Sequence, residues 1–270
     1  MLFDSKKHPI IIGGSHRSGT TLFRRIINSS NTIYCPPEIK FHKDLLTQYL
    51  NDELAFARLS SSIKVLDLPV EYWLDEFGKA FVNCYNKAAK QAGKNRWADK
   101  NPENCINIFH WHRLLNGKLK FILIVRNPLD IVASMNEANM YKTYPDDLQG
   151  KMDQVKTYLE SALQYADANK NSSLIVKYED LVFNTPKVMA QVFDWLNEPW
   201  DDQFLIKIFD TFHKKGLEDP KFSRHKNVSS ENINRWKDDL IWDDVKMIEK
   251  YLHPLISHLG YPIQSIQKKI

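Results

Sequence analysis

The sequence predicts an α/β fold, a P-loop-type parallel sheet flanked by helices on both faces, and three observations predict it. Three β-branched residues, Ile10 to Ile12, run into a glycine-punctuated turn from Gly13 to Gly19, and a helical pattern follows with Leu22, Ile26 and Ile27 on one side. The stretch Lys118 to Val125 is a continuous apolar run of the kind that sits at the centre of a parallel sheet, buried on both faces. Strand patterns alternate with helical ones, which implies right-handed βαβ crossovers and one covered sheet.

Each element has its own signal. After the first helix, Ser29 to Pro37 reads as a polar loop whose two prolines deliver Glu38 into a stretch that turns helical near Phe41. Segments Glu53 to Leu66 and Pro69 to Lys94 read as helices, with Phe77, Phe81, Tyr85 and Ala88 at helical spacing. Asn95 to Asn104 reads as a short strand ending in a polar turn, with Lys100 at the strand end and Pro102 and Glu103 in the first turn of the next helix. Arg126 directly follows the central strand, and Asn127-Pro128 opens a helix carrying Ser134. A helix from about Gly150 to Asn169 leads to a fourth strand, Ser173 to Tyr178, after which Thr185-Pro186 caps a helix through Leu196. From Trp200 the chain is helical and aromatic-rich, interrupted by the basic segment Asp219 to Ser230. No linker or repeat divides the chain, so residues 1–270 are expected to form a single domain.

Composition narrows the class. A chain that is 43% hydrophobic and 26% charged is globular rather than disordered. No apolar run approaches the roughly 20 residues of a membrane span, and the start lacks a signal peptide's apolar core, so a cytoplasmic protein without a membrane span is expected. The 3 cysteines lack a C-x-x-C pair and fit reduced thiols. His110 and His112, the close pair among 9 histidines, point apart on a helix, so no metal site is expected. A net charge of +4 tolerates an anionic ligand, and the absence of a long basic run or basic-aromatic interleaving gives no pointer to nucleic acid.

The first loop carries the chemistry. Glycines let a ligand approach the backbone, and the free N–H groups at a helix start favour an anion. The spacing from Gly14 to Gly19 is that of a Walker A loop, but Thr20-Thr21 stands where a nucleoside triphosphatase has Lys-Ser or Lys-Thr. Arg17 offers a permanent charge and five donors in its place, which suits an oxyanion that needs no magnesium. A glycine-rich turn that binds nothing is the competing reading. Four strand ends carry ligand-binding side chains: Arg17 with Thr20 and Thr21, Lys100, Arg126 with Ser134, and Tyr178. Ligands of open parallel sheets bind along that rim, where these groups could hold a nucleotide with phosphates at two ends.

The segments Arg17 to Leu22, Val125 to Ser134, Lys177 to Val182 and Asn234 to Lys237 together resemble the sulfotransferases that use 3′-phosphoadenosine 5′-phosphosulfate (PAPS), nearest the bacterial and tyrosylprotein sulfotransferase-like members. The likeness implies a sulfotransferase-like fold and the product 3′,5′-adenosine bisphosphate (PAP), with no metal. Carried over residue by residue, Arg17, Ser18, Gly19, Thr20, Thr21 and Leu22 would hold the 5′-phosphosulfate. Arg126 and Ser134, eight residues apart, would hold the 3′-phosphate, and Tyr178 would contact the adenosine. Arg224 and Lys226 of the late basic segment would close over the nucleotide, and Arg235 stands where the tyrosylprotein branch has a lysine before tryptophan. Ala138 stands where that branch has a second arginine.

Glu38 lies twenty-one positions after Arg17, the spacing of that branch's catalytic glutamate. The resemblance therefore assigns Glu38 as general base, with Arg17 and Lys100 stabilising the transferred group. A P-loop kinase using a nucleoside triphosphate and a non-catalytic nucleotide-binding protein on the same fold are the rival functions. The acceptor is a hydroxyl on a peptide tyrosine, a carbohydrate or a small molecule. Tyr141, Tyr144 and Trp73 are candidates either for an acceptor wall or for core packing.

Overall fold

Burial decides the sheet. Ile10, Ile11 and Ile12 are fully buried, as are Phe121 to Val125, so both runs satisfy their backbone groups from a strand on each side. The computed structural model describes residues 7–40, 50, 52–137, 144–208 and 228–267. Its strands are β1 (Ile10–Gly13), β2 (Ile33–Tyr34), β3 (Arg96–Lys100), β4 (Lys120–Val125) and β5 (Ser173–Lys177). They form a parallel sheet in the order β2-β3-β1-β4-β5. From β1 the chain runs to the edge strand β2, comes back to lay β3 between β2 and β1, then crosses to the other side of β1 for β4 and β5. The connection reverses between β1 and β4, the place where open α/β sheets present a ligand crevice beyond the strands' carboxyl ends.

Side-chain alternation divides the core into two layers. Ile11, Phe121, Leu123 and Val125 face one apolar cluster, which includes Trp97, Trp111 and Trp236. Ile10, Ile12, Ala98, Ile122 and Ile124 face the other, with Phe23, Ile26, Ile27 and Phe193. Helix α1 (Thr20–Ser29) covers the second face. The first is covered by α3 (Val70–Gln91), α4 (Asn104–Leu114), α5 (Pro128–Glu137) and α6 (Leu148–Ala168), while α2 (Glu53–Lys64) packs on α3. Later helices are α7 (Tyr178–Phe183), α8 (Thr185–Trp195), α9 (Trp236–Asp239), α10 (Trp242–Tyr251), α11 (His253–His258) and α12 (Gln264–Gln267).

Three sequence expectations are corrected. The segment Ser29 to Pro37 is not wholly loop, because Ile33 and Tyr34 pair with Arg96 and Trp97 as the edge strand β2. The cap of α8 is Asn184, whose side chain accepts from the Lys187 N–H at 3.3 Å, and Thr185 instead donates its hydroxyl to the Leu181 carbonyl at 2.7 Å. Pro102 and Glu103 lie just ahead of α4 rather than within it. Phe41, Ala138 and Tyr141, and the segment of Arg224 and Lys226, lie outside the described residues. The cysteines Cys35, Cys84 and Cys105 are free thiols.

Candidate active site

The register brings the loop-bearing strand ends to one rim. Ile12 lies opposite Lys100, Gly13 opposite Leu123, and Val125 opposite Lys177. The residues that follow these positions, from Arg17, Lys100, Arg126 and Tyr178, therefore emerge on the same edge.

The loop after β1 folds on itself. Arg17 and Gly19 take left-handed φ angles of 67° and 91°, and the Ser18 hydroxyl and N–H both donate to the Ser15 carbonyl, at 2.6 and 3.1 Å. A side chain at Gly14 would collide with the Ile124 carbonyl at 2.7 Å, and one at Gly19 would enter the Tyr178 ring at 2.3 Å. Only glycines allow so close a loop. Gly19 at the N-cap has no side chain to cap α1 and no acidic residue stands in its first turn, so its leading N–H groups keep their positive character. Thr20 is buried, and Leu22 places its side chain in the core, leaving its backbone amide in the first turn.

Arg126 lies against this loop. Its guanidinium donates to the Arg17 carbonyl at 2.9 Å and to the Asn232 carbonyl, and sits 4.9 Å from the centre of the Tyr178 ring. Its Nε is buried and has no hydrogen-bond partner among the described residues. Ser134, one helical face along α5, accepts from Arg17 Nε at 3.1 Å. The structure thus brings Arg17, Arg126, Ser134 and Tyr178 together. Arg235 is turned to Glu137 and Asp239, with Nη1 2.5 Å from Glu137 and Nε 2.7 Å from Asp239.

Glu38 lies beyond the end of β3. Helix α1 pins the approach to it: Arg24 donates to the Cys35 carbonyl at 3.0 Å, and the Cys35 N–H donates to Asn28 at 2.9 Å. Lys100 Nζ bonds Oε1 of Glu38 at 2.6 Å, and Lys40 Nζ reaches Oε2 at 3.0 Å. Burial opposes the charge on Glu38, but the two lysines outweigh it and hold its carboxyl below the ordinary glutamate range. Asp99, buried just before Lys100 at the end of β3, accepts from Tyr85, Asn101 and Asn104 at 2.5, 3.0 and 2.8 Å.

Sequence reasoning missed two neighbours of Glu38. Lys40, bidentate with Glu103 at 2.9 and 3.0 Å, stands two residues on, where an extended chain returns a side chain to the same side. His16 contacts Tyr158 at 3.3 Å between Nε2 and the hydroxyl, and burial pushes its imidazole down to about 4, so it is neutral at physiological pH. Tyr144 is buried against His16 with ring centroids 5.5 Å apart, and Trp73 stacks on Phe77 at 4.8 Å. Among the described residues no cluster of three or more His, Cys, Asp or Glu side chains could hold a metal ion, and no helix is long and apolar enough to cross a membrane.

A sequence profile of the sulfotransferase family matches residues 9–202, from the start of β1 to beyond α8. The chain belongs to the sulfotransferase family. Protein-tyrosine sulfotransferase 1 of Danio rerio is 26% identical over 275 aligned residues, covering 95% of this chain and 73% of the relative. Protein-tyrosine sulfotransferase 2 of Gallus gallus is likewise 26% identical, over 95% of this chain and 70% of its own. The sulfotransferase domain from the curacin biosynthetic pathway superimposes with a TM-score of 0.69 at 19% identity, covering 95% of this chain and 98% of that one. A mouse sulfotransferase complexed with PAP superimposes with a TM-score of 0.55 at 16% identity, covering 94% and 86%. This family member therefore shares the sulfotransferase fold across the sheet and both helical layers.

Proposed function

We propose that this sulfotransferase moves the sulfuryl group of PAPS to an acceptor hydroxyl, and that residues 1–270 act as one domain in doing so. The observation that carries the reading is the meeting of two anion-binding elements at the β1/β4 reversal: the uncapped start of α1 with Arg17, and Arg126 with Ser134. One phosphate at each end is what a doubly phosphorylated adenosine supplies. The residues fit such a ligand, since a cradle closed to any Cβ at Gly14 and Gly19 adjoins a buried guanidinium whose Nε has no hydrogen-bond partner among the described residues. Tyr178, buried under Arg126, forms the floor between them.

In the reaction the acceptor oxygen bonds to sulfur as the bond from sulfur to the phosphate oxygen breaks, and PAP leaves with the electron pair. Glu38 takes the acceptor proton, a contribution of about 10²–10⁴ in rate. Arg17 and Lys100, held at the rim before substrate arrives, stabilise the sulfuryl oxygens and the charge developing on the leaving phosphate. The acceptor is a hydroxyl of the kind carried by a peptide tyrosine, a carbohydrate or a small alcohol or phenol, in keeping with the names of its relatives. Glu38→Gln should abolish transfer while leaving PAP affinity within a few-fold of wild type by calorimetry. Normal turnover in that variant would remove Glu38 from the mechanism.

A further inference from the structure

Both oxygens of Glu38 are engaged by lysines, so an incoming hydroxyl meets a carboxylate whose charge is already offset by two ammonium groups, which weakens it as a base. Lys100 is fixed on Oε1, its side chain 1% exposed at the end of β3. Lys40 is different. Its side chain is 25% exposed, and its ammonium is shared with Glu103, which meets it through both carboxylate oxygens at 2.9 and 3.0 Å. Lys40 thus bridges two carboxylates that compete for one ammonium group.

We propose that Lys40 and Glu103 are a positioning pair for the base: Glu103 draws the Lys40 ammonium to itself and so frees Oε2 of Glu38 to receive the acceptor proton. This rests on Glu38 being the base. The other groups facing Glu38 are Lys100 from the end of β3, His16 from the loop after β1 and Tyr158 from α6. His16 is neutral above about pH 4, and burial raises the Tyr158 hydroxyl far beyond physiological pH, so neither supplies a competing charge. Lys40 is itself raised above its ordinary value: burial opposes its charge, and Glu38 and Glu103 together overcome that cost.

The pair makes opposite demands of its two members. Lys40→Met removes a cation from Oε2, so Glu38 should titrate at higher pH by about one unit or more. Glu103→Gln leaves the ammonium wholly to Glu38, so Glu38 should titrate lower, and a base weakened by one unit slows proton transfer by up to roughly tenfold. The double variant, lacking the obstructing ammonium, should regain the rate. Lys40→Arg keeps the charge and should titrate like wild type.

Glutamate carboxyls labelled with carbon-13 allow the Glu38 midpoint to be followed by NMR in the full chain with PAP present, assigned by its loss in Glu38→Gln. The companion measurement is PAP formation from PAPS with water as the acceptor, which requires no identified substrate. Midpoints moving in opposite directions, with Glu103→Gln slowed and Lys40→Met/Glu103→Gln restored to within about twofold of wild type, are the expected results. Midpoints that stay still or move together, or a double variant no faster than Glu103→Gln, would overturn the pair. Opposite midpoints with a rate that even Glu38→Gln leaves unchanged would remove Glu38 as the base, and with it the pair's role in the reaction.

Discussion

Arg126 shows how a single side chain serves two structures at once. Its guanidinium ties the loop after β1 to the backbone at Asn232, while its Nε has no partner among the described residues. In the proposed complex it reads the 3′-phosphate, so Arg126→Ala should weaken PAP by roughly 30-fold or more, the loss of a buried charge-assisted contact, and adenosine 5′-phosphate far less. Calorimetry with both ligands checks this, and equal losses would show that Arg126 does not distinguish them. Glu103 supports a second prediction. Burial raises its carboxyl, yet the hydrogen bonds and charge of Lys40 prevail and hold it down at about 2, against 4.5 for a free glutamate. A depressed folded value means that the stability it contributes is complete above about pH 4.5 and is lost as pH falls toward 2. Urea titrations across that window should show a shallower acid loss in Lys40→Met than in wild type. Arg17 and Arg126 stand out in the sequence because one lies in a glycine loop and the other directly follows a strand, whereas Glu38 stands out only through the family resemblance. Lys40 and Glu103 do not stand out, because sixty-three positions separate them and only the β3 register brings them together.

The elements themselves were read from periodicity, and they fail where periodicity is too short. Strand β2 has 2 residues, below any alternation a pattern can resolve, and it exists because Ile33 and Tyr34 find β3 beside them. The start of α8 shows a different failure: Asn184 and Thr185 are both good caps by chemistry, and the backbone geometry chose Asn184. The contact between α5 and the chain ahead of α9 was wholly hidden. Asp130, buried on α5, accepts from the Asn234 N–H at 2.9 Å and the Trp236 N–H at 3.1 Å, and so holds the backbone whose Asn232 carbonyl orients Arg126. Asp130→Ala would strand two backbone donors, at a cost of about 1–3 kcal/mol for each that stays buried and unpaired. The midpoint of urea unfolding should fall accordingly, and PAP affinity should fall with it because Arg126 loses its alignment. An unchanged midpoint would mean that the segment is held elsewhere.

Across the whole molecule, the sheet order is the fact on which the site depends, and a list of strands does not fix it. The alternation of strands and helices foretold a parallel sheet, but only long-range pairing puts β1 between β3 and β4, so that the segments 13–20 and 126–134 that follow β1 and β4 leave the same edge of the sheet. The groups proposed to hold the ligand accordingly come from segments far apart in the chain, with Asn232 beyond them fastening Arg126. A ligand that bridges such segments binds the folded chain and not the unfolded one, so it must raise the unfolding temperature by mass action. At a PAP concentration 100 times its dissociation constant the gain is about 2.7 kcal/mol, which for a chain of this size corresponds to roughly 5–10 °C. Adenosine 5′-phosphate at the same concentration reaches only the loop after β1 and should raise the midpoint by much less. Calorimetric scans with each ligand make the comparison, and equal shifts would show that the two ends of the crevice are not spanned by one molecule.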